Sequence, residues 1–150
     1  MDPLSIAFGV ISLLELTKKF IVYAKQAKEA PTDRDRVLQE TTNLAKLLSR
    51  LNDFIEDCHD PENPWLHATS SLTAPDGPLH QYRLTLEIVV AKITSSRGHG
   101  KVRQALAWVF SKEEVARLLS QIERVKSFVQ IALEIDHTFV QSFHPFSNAC

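Results

Sequence analysis

Apolar residues recur along the chain at three- and four-residue steps, and no segment shows the period of two that a half-buried strand requires. A first helix is predicted from about Pro3 to Lys28. Asp2 is placed to cap it, Pro3 takes the first helical position, where its missing N–H costs nothing, and no breaker follows until Pro31. Gly9 is its one weak point. No charge lies between Pro3 and Leu14, and Leu4, Ile6, Ala7, Phe8, Val10, Ile11, Leu13 and Leu14 cover every face. A helix apolar all round belongs either at the centre of a core or in a membrane.

The second predicted helix starts after Ala30-Pro31, with Thr32 or Asp33 as its cap, and ends near Cys58. Val37, Leu38, Thr41, Leu44, Ala45, Leu48, Leu51 and Ile55 form a single core-facing stripe. From Asp53 to Asp76 there are six acids, no Lys or Arg, and prolines at 61, 64 and 75, so this stretch reads as a loop, pinned by Trp65 and Leu66. A third helix is expected from Leu79 to Thr94 with Leu79, Tyr82, Leu86, Val89, Val90 and Ile93 inward, ended by Ser95 to Gly100. A short helix from Lys101 to about Val109 follows. Ser111-Lys112-Glu113-Glu114 then has the form of a capping box. It opens a last helix, about Lys112 to Val140, that uses Val115, Leu118, Leu119, Ile122, Val125, Phe128, Val129, Ala132, Leu133 and Ile135. The expectation is an all-α protein, an antiparallel helical bundle of four to five helices over residues 1–140, with 141–150 as a C-terminal tail or linker.

Composition agrees with one globular domain: 150 residues, 44% hydrophobic and 23% charged. The net charge of −1 removes the long-range field of a dedicated nucleic-acid binder, so no nucleic acid is expected as a partner. Two cysteines, Cys58 and Cys150, give no disulfide framework and suit a reducing compartment. Asp2 stands where a secretory signal carries Lys or Arg, and the expected location is cytoplasmic.

Catalytic chemistry finds little to use. Cys58-His59-Asp60 is a loop cluster with no second pair at metal spacing, and His99 lies in Gly98-His99-Gly100, which lacks the Lys-Ser/Thr of a phosphate loop. His67, His80, His137 and His144 have no evident partners. No metal, cofactor or catalytic residue is expected. Between Arg97 and Lys126, however, seven basic residues (Arg97, Lys101, Arg103, Lys112, Arg117, Arg124 and Lys126) face three Glu, a candidate anionic-lipid face whose bland alternative is a solvated helix surface.

The first helix has its own arithmetic. Its twelve uncharged residues make about 18 Å of helix against a hydrocarbon core of about 30 Å. Extending it to Ala24 brings in Glu15, Lys18 and Lys19, each costing about 2.5–3.5 kcal/mol near a bilayer centre. A lone helix should not span; several copies that turn Glu15 and the lysines toward a shared wet lumen should.

Several segments together carry a family resemblance. They are Met1-Asp2-Pro3-Leu4-Ser5-Ile6, Ala30-Pro31-x-Asp33-Arg34, Trp108-x-Phe110-Ser111-Lys112-x-Glu114-Val115, Leu118-Leu119, Ile122-Glu123-Arg124-x-Lys126-Ser127 and Ala132-Leu133. In order and spacing the set resembles the fungal HeLo-like N-terminal domains that precede NACHT and ankyrin-repeat regions in STAND (NOD-like receptor) proteins. Val109 departs from it, standing where proline is common in such domains. The resemblance implies a helical bundle that executes regulated cell death in heterokaryon incompatibility or defence. It acts by homo-oligomerisation and insertion of its N-terminal helix, and is cytoplasmic at rest and at the plasma membrane on activation. It implies Leu4, Ile6, Phe8, Val10, Ile11, Leu13 and Leu14 as the membrane-inserting residues, Glu15 as lumen or switch acid, membrane lipid as partner, and a NACHT or repeat domain in a full-length receptor. The rival expectation is a helical adaptor whose first helix never leaves the core.

Overall fold

The structure, a computed structural model, describes residues 3–57, 74, 76–97 and 108–143, with side chains described at 6–57, 74, 76–95 and 108–134. Four helices lie among these residues: α1 (Pro3–Gln26), α2 (Pro31–Glu56), α3 (Pro78–Arg97) and α4 (Lys112–Phe143). The described residues contain no strand. The protein is an all-α bundle. The expected loop pinned by Trp65 and Leu66, residues 101–107 of the expected short helix, and 144–150 of the expected tail lie outside the described residues.

Each helix packs chiefly on two others, α1 on α2 and α3, and α4 on α2 and α3, which closes a ring of four. Direction follows from the cross-links. The four-residue joint Ala27–Ala30 folds α2 back along α1. Lys92–Glu114 at one end and Gln81–Arg124 at the other make α3 and α4 antiparallel. Arg83 reaches Gly9 and Ser12, whereas Lys92 lies over Phe110, which touches Phe20 and Tyr23. Positions on α1 and α3 therefore rise together. Two antiparallel hairpins sit side by side, with α1 parallel to α3 and hence α2 parallel to α4.

The joint before α2 differs from the expected cap at Thr32 or Asp33. The helix begins at Pro31, and Ala30, two residues before Thr32, occupies the cap position in left-handed backbone, φ 50°, without a side-chain cap bond. Proline disfavours helical backbone in the residue before it, so Ala30 leaves the helical region and takes a conformation that costs a non-glycine residue about 1–2 kcal/mol. The Arg34 guanidinium stabilises the turn instead, donating to the Ala27 carbonyl at 2.6 Å, while the Arg34 N–H donates to Ala30 O at 2.8 Å.

The stripes pack as their spacing implies. Val37, Thr41, Leu44, Leu48, Leu51 and Ile55 of α2 are buried, as are Leu79, Tyr82, Leu86, Val89 and Ile93 of α3. Val90 is half-buried and Phe128 is 41% exposed, both against expectation. Phe128 lies on the flank of α4, because Val125, Val129 and Ala132 already hold the line that faces the core. The capping box forms as read: Glu114 N–H donates to Ser111 Oγ at 3.2 Å, and Ser111 N–H to Glu114 Oε1 at 3.1 Å. The short helix expected up to Val109 does not reach it; Trp108, Val109 and Phe110 are not helical, and Val109 N–H donates to Tyr23 Oη at 3.2 Å.

At the centre, Tyr82 is fully buried and its hydroxyl lies 3.1 Å from Thr17 Oγ1, which donates to Leu13 O at 2.8 Å. Thr17 spends its one proton on Leu13, so Tyr82 donates to Thr17. Burial pushes the Tyr82 phenol well above its ordinary range. The chain of bonds has a direction, and the two ends should respond differently to removal. Tyr82→Phe removes a donor and leaves Thr17 bonded to Leu13, a loss of about 1 kcal/mol; Thr17→Val strands the buried Tyr82 hydroxyl and should cost about 1–3 kcal/mol. Urea unfolding of both variants checks the order, and a larger loss for Tyr82→Phe would contradict it.

Candidate functional site

The N-terminal half of α1 divides its apolar residues between core and surface. Ile6, Ala7, Val10, Leu13 and Leu14 are buried, Ile11 is half-buried, and Phe8 is 63% exposed. Leu4 lies on the helix, but its side chain is outside the described set. Glu15 is exposed, as are Lys18, Lys19 and Val22 on the same outer face. The expected inserting segment is thus mostly core in this structure, with Phe8 as its visible part. Among the described residues no helix is long and apolar enough to cross a membrane.

Two polar attachments hold α1 to α3. One is the buried Tyr82–Thr17 bond. The other is Arg83, whose guanidinium donates to Gly9 O and to Ser12 Oγ, each at 2.7 Å. The far half of α1 is anchored by aromatic rings. Tyr23 stacks on Trp108 at 6.1 Å between centroids, and Phe110 meets Phe20, Tyr23 and Trp108 edge-on. Lys92 Nζ lies 5.6 Å from the Phe110 centroid. Burial raises the Tyr23 phenol, partly offset by the Val109 N–H it accepts. Trp108 Nε1 is buried with no hydrogen-bond partner among the described residues.

The seven basic residues do not share one face. Lys101 and Arg103 lie outside the described residues, and Arg97 lies at the end of α3 with its side chain outside them. On α4, Arg117 and Arg124 are two turns apart on the flank toward α3, where Arg124 approaches Gln81 at 3.5 Å. Lys126 points the other way, to α2, and bridges Glu40 at 2.8 Å and Glu123 at 3.2 Å. Lys112, nearly four turns before Lys126, falls on that second flank. Arg117 and Arg124 remain as the exposed basic pair beside α3; the expected continuous lipid face is otherwise divided between two sides of α4, because the helical period, not the charge count, sets direction.

The Lys126–Glu40 bridge ties α2 to α4 and is sensitive to acid. Its hydrogen bond holds the Glu40 carboxyl below its usual value and raises Lys126; the Lys92 bond lowers Glu114 in the same way. A carboxyl depressed by folding stabilises the bundle above its unfolded value of 4.5, and that contribution is lost as pH falls through the lower folded value. For this partly buried surface pair the effect is about 0.2–1 kcal/mol. Glu40→Gln should therefore be destabilising at pH 7 and indistinguishable from the parent chain near pH 2 in urea titrations; an equal deficit at both pH values would contradict the assignment.

No group of three His, Cys, Asp or Glu side chains able to hold a metal occurs among the described residues. His59, His67, His99 and His144 lie outside those residues, and the side chain of His137 is not among those described. Sequence reasoning missed the Arg83 clamp and the aromatic anchor; spacing within one helix carries no information about which distant residue meets it. Compared with protein-family models, curated proteins and solved structures, the chain matches none of them.

Proposed function

We propose that this bundle is a non-enzymatic, HeLo-like membrane-targeting domain of a cell-death effector or NOD-like receptor, working by homo-oligomerisation and release of α1 into lipid at the plasma membrane. The supporting observation is α1 itself: twelve residues without a charge, docked by their inner face and displaying Phe8 to solvent. Ile6, Val10, Leu13 and Leu14 are in the core, so insertion requires α1 to leave the bundle. The released segment is about 18 Å long, too short to span alone, so the active form is an oligomer in which Glu15 faces a wet lumen. Arg117 and Arg124 supply attraction to anionic headgroups. Dye release from vesicles with and without anionic lipid tests this on the full chain. The expected result is release that rises more steeply than the first power of protein concentration and is faster with anionic lipid. Absence of release at every concentration would sink the reading.

A specific observation favours a second reading, a helical adaptor in which α1 stays in place. Leu84 and Ile88, one turn apart on the outer face of α3, are 46% and 68% exposed. An adaptor using that face would lose its function on Ile88→Lys with α1 undisturbed, whereas vesicle leakage driven by α1 would persist.

A further inference from the structure

One line of side chains runs along α1 on the side away from the core: Phe8, Ile11, Glu15, Lys18, Val22 and Lys25, at alternating steps of three and four. Such spacing is the seam by which one helix packs along another. Phe8 is 63% and Val22 54% exposed, Ile11 is half-buried, and the three charged residues are exposed. The buried Val10, Leu13, Thr17, Phe20 and Ala24 take the opposite side of the helix. Glu15, Lys18 and Lys25 form no ion pair among the described residues, although Glu15 and Lys18 stand one turn apart.

The order of these residues says what fits against them. Phe8 and Lys25, Ile11 and Val22, and Glu15 and Lys18 stand at equal distances on either side of one midpoint. A second copy laid antiparallel along the line therefore sets each Glu15 against a Lys18, each Ile11 on a Val22, and the Lys25 ammonium beside the Phe8 ring. Lys19, exposed just off the line, comes level with the same carboxylate. A parallel copy sets Glu15 against Glu15 and Lys18 against Lys18, so charge selects the antiparallel pair.

We propose that this chain pairs with a second copy of itself through the outer face of α1, antiparallel, with Glu15 of each copy bridging Lys18 of the other. The dimer forms with α1 docked and covers Phe8. It rests on the bundle alone and not on release of α1 into lipid. One helix from each copy makes a small interface, so a dissociation constant of about a micromolar or weaker is expected.

Sedimentation equilibrium of the full chain without lipid tests it, with circular dichroism to verify the fold of each variant. The parent chain should show a monomer–dimer equilibrium. Glu15→Lys turns both symmetric bridges into repulsions and should raise the dissociation constant about tenfold or more. Adding Lys18→Glu to it restores both bridges in reverse and should return the constant to within about threefold of the parent. Both positions are exposed, so the variants keep the fold. Ile88→Lys, on the outer face of α3, should leave pairing unchanged; a weakening there would move the contact off α1. A parent chain monomeric at its highest soluble concentration, a Glu15→Lys chain that pairs as well as the parent, or a double variant no better than the single one would each overturn the proposal. Because pairing is measured without lipid, its failure and a failure of vesicle leakage are read separately.

Discussion

Phe8→Glu should leave the bundle folded and abolish vesicle leakage, while Val10→Glu should unfold it. The two residues are neighbours on the same apolar helix, and sequence treats them alike. Val10 is fully buried in the core, and a carboxylate there loses the water that would solvate it. The uncompensated buried charge and the lost apolar contact together cost at least about 4 kcal/mol, a large part of the stability of an ordinary domain. Phe8 is 63% exposed, so its replacement changes stability by about 0.5 kcal/mol or less. In a bilayer the ranking reverses its meaning, because each charge carried inward costs about 2.5–3.5 kcal/mol at the centre. Circular dichroism and leakage on the pair give a clean separation. A folded Phe8→Glu that still releases dye would remove the inserting role of this segment, and a folded, stable Val10→Glu would contradict the burial of α1.

The same pair shows how much of this molecule is legible in its sequence. Period alone places Leu44, Leu48 and Leu51, or Leu86, Val89 and Ile93, on the inner faces of α2 and α3, since a polar opposite face fixes the direction of burial. The Ser111–Glu114 box is equally readable, being a local exchange of hydrogen bonds within one turn. In α1 this information is missing. With no polar residue from Pro3 to Leu14 except Ser5 and Ser12, nothing in the pattern says that Val10 points in and Phe8 out. The start of α2 escapes the pattern for a related reason: Pro31 imposes the helix start through sterics on Ala30, overriding the polar residues that follow it. A charge count along α4 likewise carries no direction, because Arg117 and Lys126 lie nine residues apart, two and a half turns, and so on opposite flanks. Contacts between distant segments, such as Arg83 with Gly9 or Val109 with Tyr23, have no signature along the chain at all.

The second large effect lies at the opposite end of α1. Phe20 is fully buried and touches both Tyr23 and Phe110, so it joins α1 to the segment that leads into α4. Phe20→Ala should cost about 3–5 kcal/mol, the loss of a large buried ring plus the cavity it leaves, and edge-on ring contacts add to the upper end of that range. Because the residue ties the docked half of α1 to both hairpins, the loss should appear in global unfolding: a lower urea midpoint, and faster exchange in α1, α2 and α4 together. A Phe20→Ala variant that loosened α1 alone, with α2 and α4 unaffected, would mean that α1 is a detachable element along its whole length.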